Sequence, residues 1–504
     1  MSISKFKNFL KRTGLDEKPF QLDCFQWCLD REAQHIETQA SLPVEGEHSP
    51  KWGFGGFPPM GILALEMGLG KTIIMLGLIE CNFKKNTLII LPRTLLDQWE
   101  KCIKKFFGHQ PLVYHGSRPK NLKLTLSQIK NKPIILTTYG QISHPSVKQS
   151  RRGRLPSLLH YIQWDRLICD EAHHISHKKT NEHKGVLALK ANIKWLVTGT
   201  PIQNNEQELH NLFTLLGFEN DKHYYNQGTN YADTINYFVY HKTKADAGIN
   251  LPLLKEHTEI VQWTNAKERE FSSHIHSLLE CCNVPLKAPA LEILDTVTDA
   301  KTALGLRFKY MSKAKQVCIY PPMLLKNEKT LAESKINAII KTLTSRHNNG
   351  NGKIVFCHYY AEIDALAHRL AEQGIMKIQK FDGRIKTRKE QEEILTDPTT
   401  EVLLAQIKMC REGLNLQDNY SEVYFPSPDF NPSIEDQAIA RCWRIGQTKE
   451  VNVFRYIMEP TDISEEKKQA EPVQQKIYSM DTYSASTQEY KREIIERMYR
   501  YACL

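Results

Sequence analysis

An α/β protein built from two lobes, each a parallel sheet flanked by helices, with helical insertions between them, is predicted by three observations. Short apolar runs end in a small or polar residue and lead into helix-like periodicity: GILAL (61–65), TLIIL (87–91), PIILTT (133–138), RLICD (166–170) and KWLVTGT (194–200). β-Branched and Leu-rich runs spaced in this way read as strands buried on both faces. A second series follows the same pattern: KIVFCH (353–358), KIQKF (377–381), EVLLAQ (401–406), EVYFP (422–426) and NVFRYI (452–457). Between the two, roughly 205–332, the text turns helical and polar, and 504 residues are too many for one core.

Taken in order, residues 1–265 are expected to form the N-terminal lobe. It carries a Gly/Pro/Ser-rich loop at about 37–59 and a helical protrusion at about 205–250. LPLLKEHTEIVQW (251–263) offers one further strand, and 266–332 reads as a helical linker. NNGNGK (348–353) is a turn-rich opening to a second lobe at 333–460. Within it, YAEIDALAHRLAEQG (360–374) is a helix closed by Gly374. The tail, 461–504, contains one last helical stretch, QEYKREIIERMY (488–499).

The bulk numbers exclude several classes. At 41% hydrophobic and 25% charged residues the chain is an ordinary globular protein. No apolar run reaches about 18 residues, so no transmembrane helix is expected. The start, MSISKFKNFLKRTGLDEK, is too charged for a secretory signal and suits a short amphipathic helix. Twelve cysteines without a C-x-x-C pair point to reduced thiols in a cytosolic or nuclear compartment, and no zinc module is predicted. A net charge of +10 suits a polyanionic partner.

LEMGLGKT (65–72) nearly satisfies the phosphate-loop pattern, with Leu65 where the leading Gly belongs. Residues Met67, Gly68, Leu69, Gly70, Lys71 and Thr72 form the cradle itself. Glycines permit the turn that converges backbone N–H groups on a phosphate, at the start of a helix. Lys71 reaches the β- and γ-phosphates, and the Thr72 hydroxyl takes a position on Mg²⁺.

In LICDEAHH (167–174) an apolar strand delivers two adjacent carboxylates, which is costly unless they serve a cation or a reaction. Asp170 is expected to hold Mg²⁺, and Glu171 to polarise the attacking water. The plain alternative is a strand end followed by an acidic helix start. A metal cluster at His173, His174 and His177 lacks a Cys or second carboxylate at ligand spacing. In QAIARCWRIGQ (437–447), Gln437, Arg441 and Arg444 fall at i, i+4 and i+7, one face of a helix. The two arginines suit charge stabilisation on a transferring phosphoryl group; a solvated basic face is the alternative.

These motifs, with LIILPRTLLDQWEKCIKKF, ILTTYGQI, LVTGTPIQNNEQELHNLFTLLGF, FDGR, EGLNLQ and FNPSIEDQAIARCWRIGQTKEV, stand in the order found in the Swi/Snf-type ATPases of helicase superfamily 2. The chain resembles that family from about residue 20 to 457. The resemblance implies two RecA-like lobes, ATP and Mg²⁺ as cofactors, and translocation along double-stranded DNA without strand separation. The family's phosphate loop already lacks the leading Gly. By the same resemblance Gln26 reads adenine, and Gln437 joins the nucleotide site. His173, Thr198, Gly199, Thr200, Gln203, Asn204 and Gly413 link hydrolysis to lobe movement. Arg93, Thr94, His115, Gly116, Thr137, Thr138 and Asn415 follow a DNA backbone, a contact that fixes register without reading bases. Gln417 belongs to the same loop as Asn415, and the stretch Lys408 to Arg411 departs from the family's small-residue run. Basic runs SRRGR (150–154) and HKKTNEHK (177–184) extend the positive track or are solvated loops.

Within the family the chain looks most like the repair and transcription-termination branches without a RING finger, and like the compact versions of large DNA viruses. A nuclear or cytoplasmic DNA-containing compartment and a recruiting protein partner are implied. Two other readings stay open at this point: an RNA-stimulated helicase, since DEAH is shared, and a DNA-binding scaffold with a degenerate motor.

Overall fold

The computed structural model describes residues 3–33, 59–118, 120–145, 156–218, 235–281, 301–325, 333–374, 376–410, 414–460 and 479–503. The chain forms two units, Met1–Asn250 with Ile494–Leu504, and Leu251–Glu493. Among the described residues no helix is long and apolar enough to cross a membrane.

The first unit is built on seven strands: β1 (Met60–Leu65), β2 (Thr87–Leu91), β3 (Leu112–Val113), β4 (Ile134–Thr138), β5 (Gln163–Asp170), β6 (Lys190–Val197) and β7 (Val239–Lys242). They pair in parallel in the order β3-β4-β2-β5-β6-β1-β7. The five apolar runs read from the sequence all lie in this sheet, while the short edge strands β3 and β7 were not legible there. Side-chain alternation sends Leu63 and Leu65 into one core and Met60, Ile62 and Ala64 into the other. The first core is closed by the helices Ile3–Thr13 and Pro19–Ala33, whose Phe6 and Phe25 rings stack at 4.1 Å. The expected N-terminal amphipathic helix is the first of these.

The segment expected to protrude does not do so over its described part. Helix Gln207–Leu216 buries Leu209, Leu212, Phe213 and Leu216 in the core that holds Ile62. An apolar stripe of that width packs against a sheet instead of projecting into water. Residues 219–234 lie outside the described set, as do 150–154 and almost all of the loop expected at 37–59. Beneath the first sheet a buried ion pair joins Arg166 to Glu32 at 2.5 Å, and the Trp195 indole donates to the same carboxylate at 2.9 Å.

The second unit carries β8 (Leu254–Val261), β9 (Gly352–Cys357), β10 (Ile378–Phe381), β11 (Val402–Gln406), β12 (Tyr420–Phe425) and β13 (Val451–Met458). Their parallel order is β10-β11-β9-β12-β13-β8. This corrects the expected boundary at 265. β8 runs in continuous register with β13, from Leu254 opposite Val451 to Val261 opposite Met458, so the first unit ends at Asn250. The expected linker is also part of the second unit: Leu279 from helix Ala266–Cys281 and Ala314 and Val317 from helix Lys301–Ile319 enter its core. Helix Met480–Cys503 begins earlier than the tail's periodicity suggested. Its fully buried Asp481 pairs with Lys335, accepts from the Ser427 hydroxyl, and accepts the Met458 N–H at 3.1 Å.

Candidate nucleotide and nucleic-acid sites

The loop leaving β1 turns twice through positive φ, at Gly68 (90°) and Gly70 (84°), before helix Lys71–Cys81 begins. Side chains at these two positions would be strained. Leu65, the departure from the phosphate-loop pattern, ends β1 with its side chain fully buried in the core, so it serves packing and leaves the cradle unchanged. Its carbonyl accepts the Lys71 ammonium at 3.0 Å, and that amine is itself buried. Gly199 packs so closely on this neck that a Cβ there would stand 3.1 Å from both Lys71 Nζ and Met67 Cγ. The TGT segment therefore touches the phosphate loop directly. Thr72 is half-buried one residue into the helix.

Gln26, expected to read adenine, is half-buried on helix Pro19–Ala33. It donates to Asp30 one turn along its own helix, at 2.5 Å. Gln21, from the same helix, is buried and donates to the Leu69 carbonyl at 3.0 Å. A Cβ on Gly70 would lie 2.5 Å from the Gln21 amide nitrogen. The signal was present in the helix phase. Gln21 shares the buried face with Phe25, Cys28 and Glu32, at i, i+4, i+7 and i+11, whereas Gln26 lies nearer exposed Asp23 and Asp30.

Asp170 closes β5 and is buried. Its Oδ2 accepts the Trp99 indole N–H at 2.7 Å, its Oδ1 accepts the Glu171 N–H at 3.0 Å, and its carbonyl accepts the Tyr139 hydroxyl at 2.6 Å. Burial, followed by the charge of Glu171, pushes the Asp170 carboxyl up to about 7, while Trp99 and then Lys71 pull it down. Glu171 adopts a left-handed conformation (φ 50°), a strain of order 1 kcal/mol for a non-glycine residue. Its buried Oε2 makes no hydrogen bond and lies 3.4 Å from His173 Nδ1.

From His173 a hydrogen-bonded chain runs into the next motif. His173 Nδ1 meets Thr198 Oγ1 at 3.1 Å, the Thr200 N–H donates to that oxygen at 3.1 Å, and the Gln203 amide donates to Thr200 Oγ1 at 3.1 Å. Glu208, missed in the sequence, holds the far end by accepting the Gln203 and Asn204 backbone N–H groups at 2.6 and 3.0 Å.

These residues fit a nucleotide and a divalent cation. Two positive-φ glycines shape the cradle, the Asp170 carboxyl is raised in pKa by burial and then by the charge of Glu171, and the Glu171 Oε2 has an unmet acceptor. Thr72 and Asp170 are the side chains able to hold Mg²⁺, with Lys71 and the backbone of 67–72 for the phosphates.

Of the expected nucleic-acid residues, Arg93 and Thr94 are exposed on the 3-10 turn Arg93–Leu95 that follows β2. Gly116 is exposed, and half-buried His115 bonds Ser117 Oγ at 2.9 Å. Burial, then the charge of Arg93, lowers the His115 pKa, which places the arginine in its field. Thr137 and Thr138 do not fit the expectation. Both are buried, and the Thr137 hydroxyl donates to the Tyr114 carbonyl at 2.8 Å. They stand inside the ladder of an interior strand, with Thr138 opposite Leu91.

In the second unit the expected single helix face also fails. The helix spans Pro432–Ile439, so Gln437 lies within it and Arg441 and Arg444 beyond it. Tight turns replace it: Cys442 and Trp443 N–H both bond the Ile439 carbonyl, and Gly446 reverses the chain at φ 102°. Gln447 then spans from its side-chain amide to the carbonyls of Gln417, Tyr420 and Cys442 at 3.0, 3.1 and 3.2 Å. These tertiary bonds outweigh helical periodicity. They bring the RIGQ turn onto the Asn415 loop, where Arg444 Nη1 donates to Asn415 Oδ1 at 2.6 Å and the Leu416 N–H to the Arg441 carbonyl at 3.0 Å. Gln437 is buried with neither amide atom hydrogen-bonded. Lys408 and Met409 belong to the short helix Ile407–Cys410; Arg411 and Gly413 lie outside the described residues.

Residues 20–319 match the family model described as SNF2-related domain, and 334–446 the helicase conserved C-terminal domain. The DNA repair protein RAD5 of Candida albicans is 26% identical over 79% of this chain and 54% of its own length. The probable global transactivator of Orgyia pseudotsugata multicapsid polyhedrosis virus is 25% identical over 80% of this chain and 83% of its own. Putative helicase 172L of Invertebrate iridescent virus 6 is 25% identical over 90% and 89%. The chain thus spans about half of the Candida protein and most of the two viral ones. Among solved structures, the Sulfolobus solfataricus SWI2/SNF2 ATPase core in complex with dsDNA is 21% identical over 88% of each chain, with a TM-score of 0.38.

Proposed function

The chain belongs to the SNF2-related family, and from that premise we propose that it hydrolyses ATP to move along double-stranded DNA, displacing or remodelling what is bound there. The observation that carries the proposal is the unbroken contact path in the first unit. Lys71 is packed against Gly199, and Glu171 connects through His173 and Thr198 to Gln203.

In this reading Lys71 and the loop N–H groups bind and orient the triphosphate. Thr72 and Asp170 would hold Mg²⁺, which would supply positive charge to spread that of the phosphoryl oxygens. Glu171, strained and with an acceptor oxygen to spare, orients the attacking water and draws its proton. Arg441 and Arg444 stabilise charge on the transferring group. The His173–Thr198–Thr200 chain carries the change at Glu171 into the TGTPIQN segment. Arg93, Thr94, His115, Gly116 and Asn415 grip phosphates without reading bases, in a DNA-containing compartment. A recruiting protein partner completes the proposal, as the family resemblance implies.

ATP hydrolysis measured against duplex DNA, single-stranded DNA and RNA, followed by triplex displacement, tests it. Duplex DNA is expected to stimulate best, and Glu171→Gln to bind ATP while turnover falls by roughly a hundredfold or more. A Lys71→Ala protein as active as wild type in duplex DNA defeats the ATPase reading; equal or better stimulation by RNA defeats the choice of substrate.

A further inference from the structure

Asp170 is held at two atoms by residues that lead away from the nucleotide loop. Trp99, 1% exposed, donates its indole N–H to the carboxylate at 2.7 Å. Tyr139 donates its hydroxyl to the backbone carbonyl at 2.6 Å. Each comes from a segment that starts where a neighbouring strand ends. Trp99 sits in helix Leu96–Phe107, which continues directly from the turn Arg93–Leu95 after β2, where Arg93 and Thr94 are exposed and Leu95 is buried. Tyr139 directly follows Thr138, the last residue of β4. Register sets the three strand ends side by side, with Leu91 of β2 opposite Thr138 of β4 and Ile90 opposite Cys169 of β5.

We propose that Trp99 and Tyr139 are positioning residues that couple occupancy of the exposed Arg93/Thr94 turn to the placement of the Asp170 carboxylate. The inference rests on the ATPase reading above and deepens it by naming the link between polyanion binding and hydrolysis.

The physical basis is the rigidity of the parts. Trp99 shares the first core with Leu96, Ile103 and Phe106 on one helix face, so the first turn of the helix and the indole move together. A shift of roughly 1 Å at the turn carries an indole N–H bonded at 2.7 Å toward the limit of a useful hydrogen bond. A phosphate seated on Arg93 and Thr94 opposes that shift. Tyr139 holds the carbonyl of the same residue, so the Asp170 backbone cannot follow a drifting indole. Coupling of this kind is a free-energy difference between two arrangements and shows as a ratio of rates with and without the effector.

The test uses the full chain with Mg·ATP, with and without saturating duplex DNA, for wild type, Trp99→Phe and Tyr139→Phe. The stimulation factor is expected to fall roughly fivefold or more in each variant, the size of one lost hydrogen bond to a charged or buried group. Affinity for a labelled duplex, read by anisotropy, is expected to stay within about twofold, because both side chains are buried away from the exposed turn. A parallel loss of both rates with an unchanged ratio marks a purely structural role and overturns the proposal, as does a wild-type factor in Tyr139→Phe. If Trp99→Phe shows no cooperative unfolding, Tyr139→Phe, which lacks one oxygen, decides alone. Wild-type protein unstimulated by any nucleic acid overturns the parent ATPase reading; stimulated wild type with unaltered variants overturns only this coupling.

Discussion

The Lys71 ammonium lies 3.0 Å from the carbonyl of Leu65, and the Leu65 side chain is fully buried in the core that also holds Phe6 and Phe25. One residue thus ends a strand, anchors a core and receives the phosphate-loop lysine through its backbone. The missing leading glycine costs the cradle nothing because only the carbonyl faces it.

Restoring the phosphate-loop pattern with Leu65→Gly should therefore harm the protein. Losing a fully buried leucine side chain and adding backbone freedom is expected to destabilise the first unit by about 3–5 kcal/mol. Urea denaturation monitored by Trp fluorescence measures it. A change below about 0.5 kcal/mol removes the packing account of Leu65.

Gln21 and Gln26 separate cleanly. Gln21→Ala is expected to weaken ATP binding roughly tenfold by releasing the Leu69 carbonyl and loosening Gly70. Gln26→Ala loses only a surface bond to Asp30 and is expected to stay within about twofold. Isothermal titration with a non-hydrolysable ATP analogue compares them, and the reverse ranking returns adenine recognition to Gln26.

Thr198 is completely buried between His173 and Thr200. Thr198→Val keeps the volume and removes the bridging oxygen. Triplex displacement is expected to drop by roughly tenfold while ATP turnover falls less than about threefold. Equal losses in the two assays place Thr198 in the chemistry and not in its coupling to movement.

Salt dependence distinguishes the exposed tract from the buried threonines. Arg93→Ala is expected to reduce the slope of log K against log[salt] for duplex binding by about 1. Thr137→Val, whose hydroxyl is committed to the Tyr114 carbonyl, should leave the slope unchanged. A slope altered by Thr137→Val and untouched by Arg93→Ala reverses the assignment.

Much of the architecture was legible without coordinates because its signals are local. A strand buried on both faces must be apolar throughout, so GILAL, TLIIL and RLICD announce themselves, and the residues proposed for the chemistry lie just beyond the loop after the first (Lys71) and at the end of the third (Asp170 and Glu171). Only tertiary structure decided which partner a polar group takes. The strand Leu254–Val261 joined the second sheet because its ladder runs to Val451–Met458, far along the chain. The helix through Gln437 stopped at Ile439 because Gln447 found carbonyls at Gln417 and Tyr420. Thr137 left the expected polyanion tract because an interior strand turned its hydroxyl to Tyr114. Hydrophobic period is written within a few consecutive residues, whereas a buried donor must be satisfied by whatever acceptor folding brings within about 3 Å, and no window of sequence contains that acceptor.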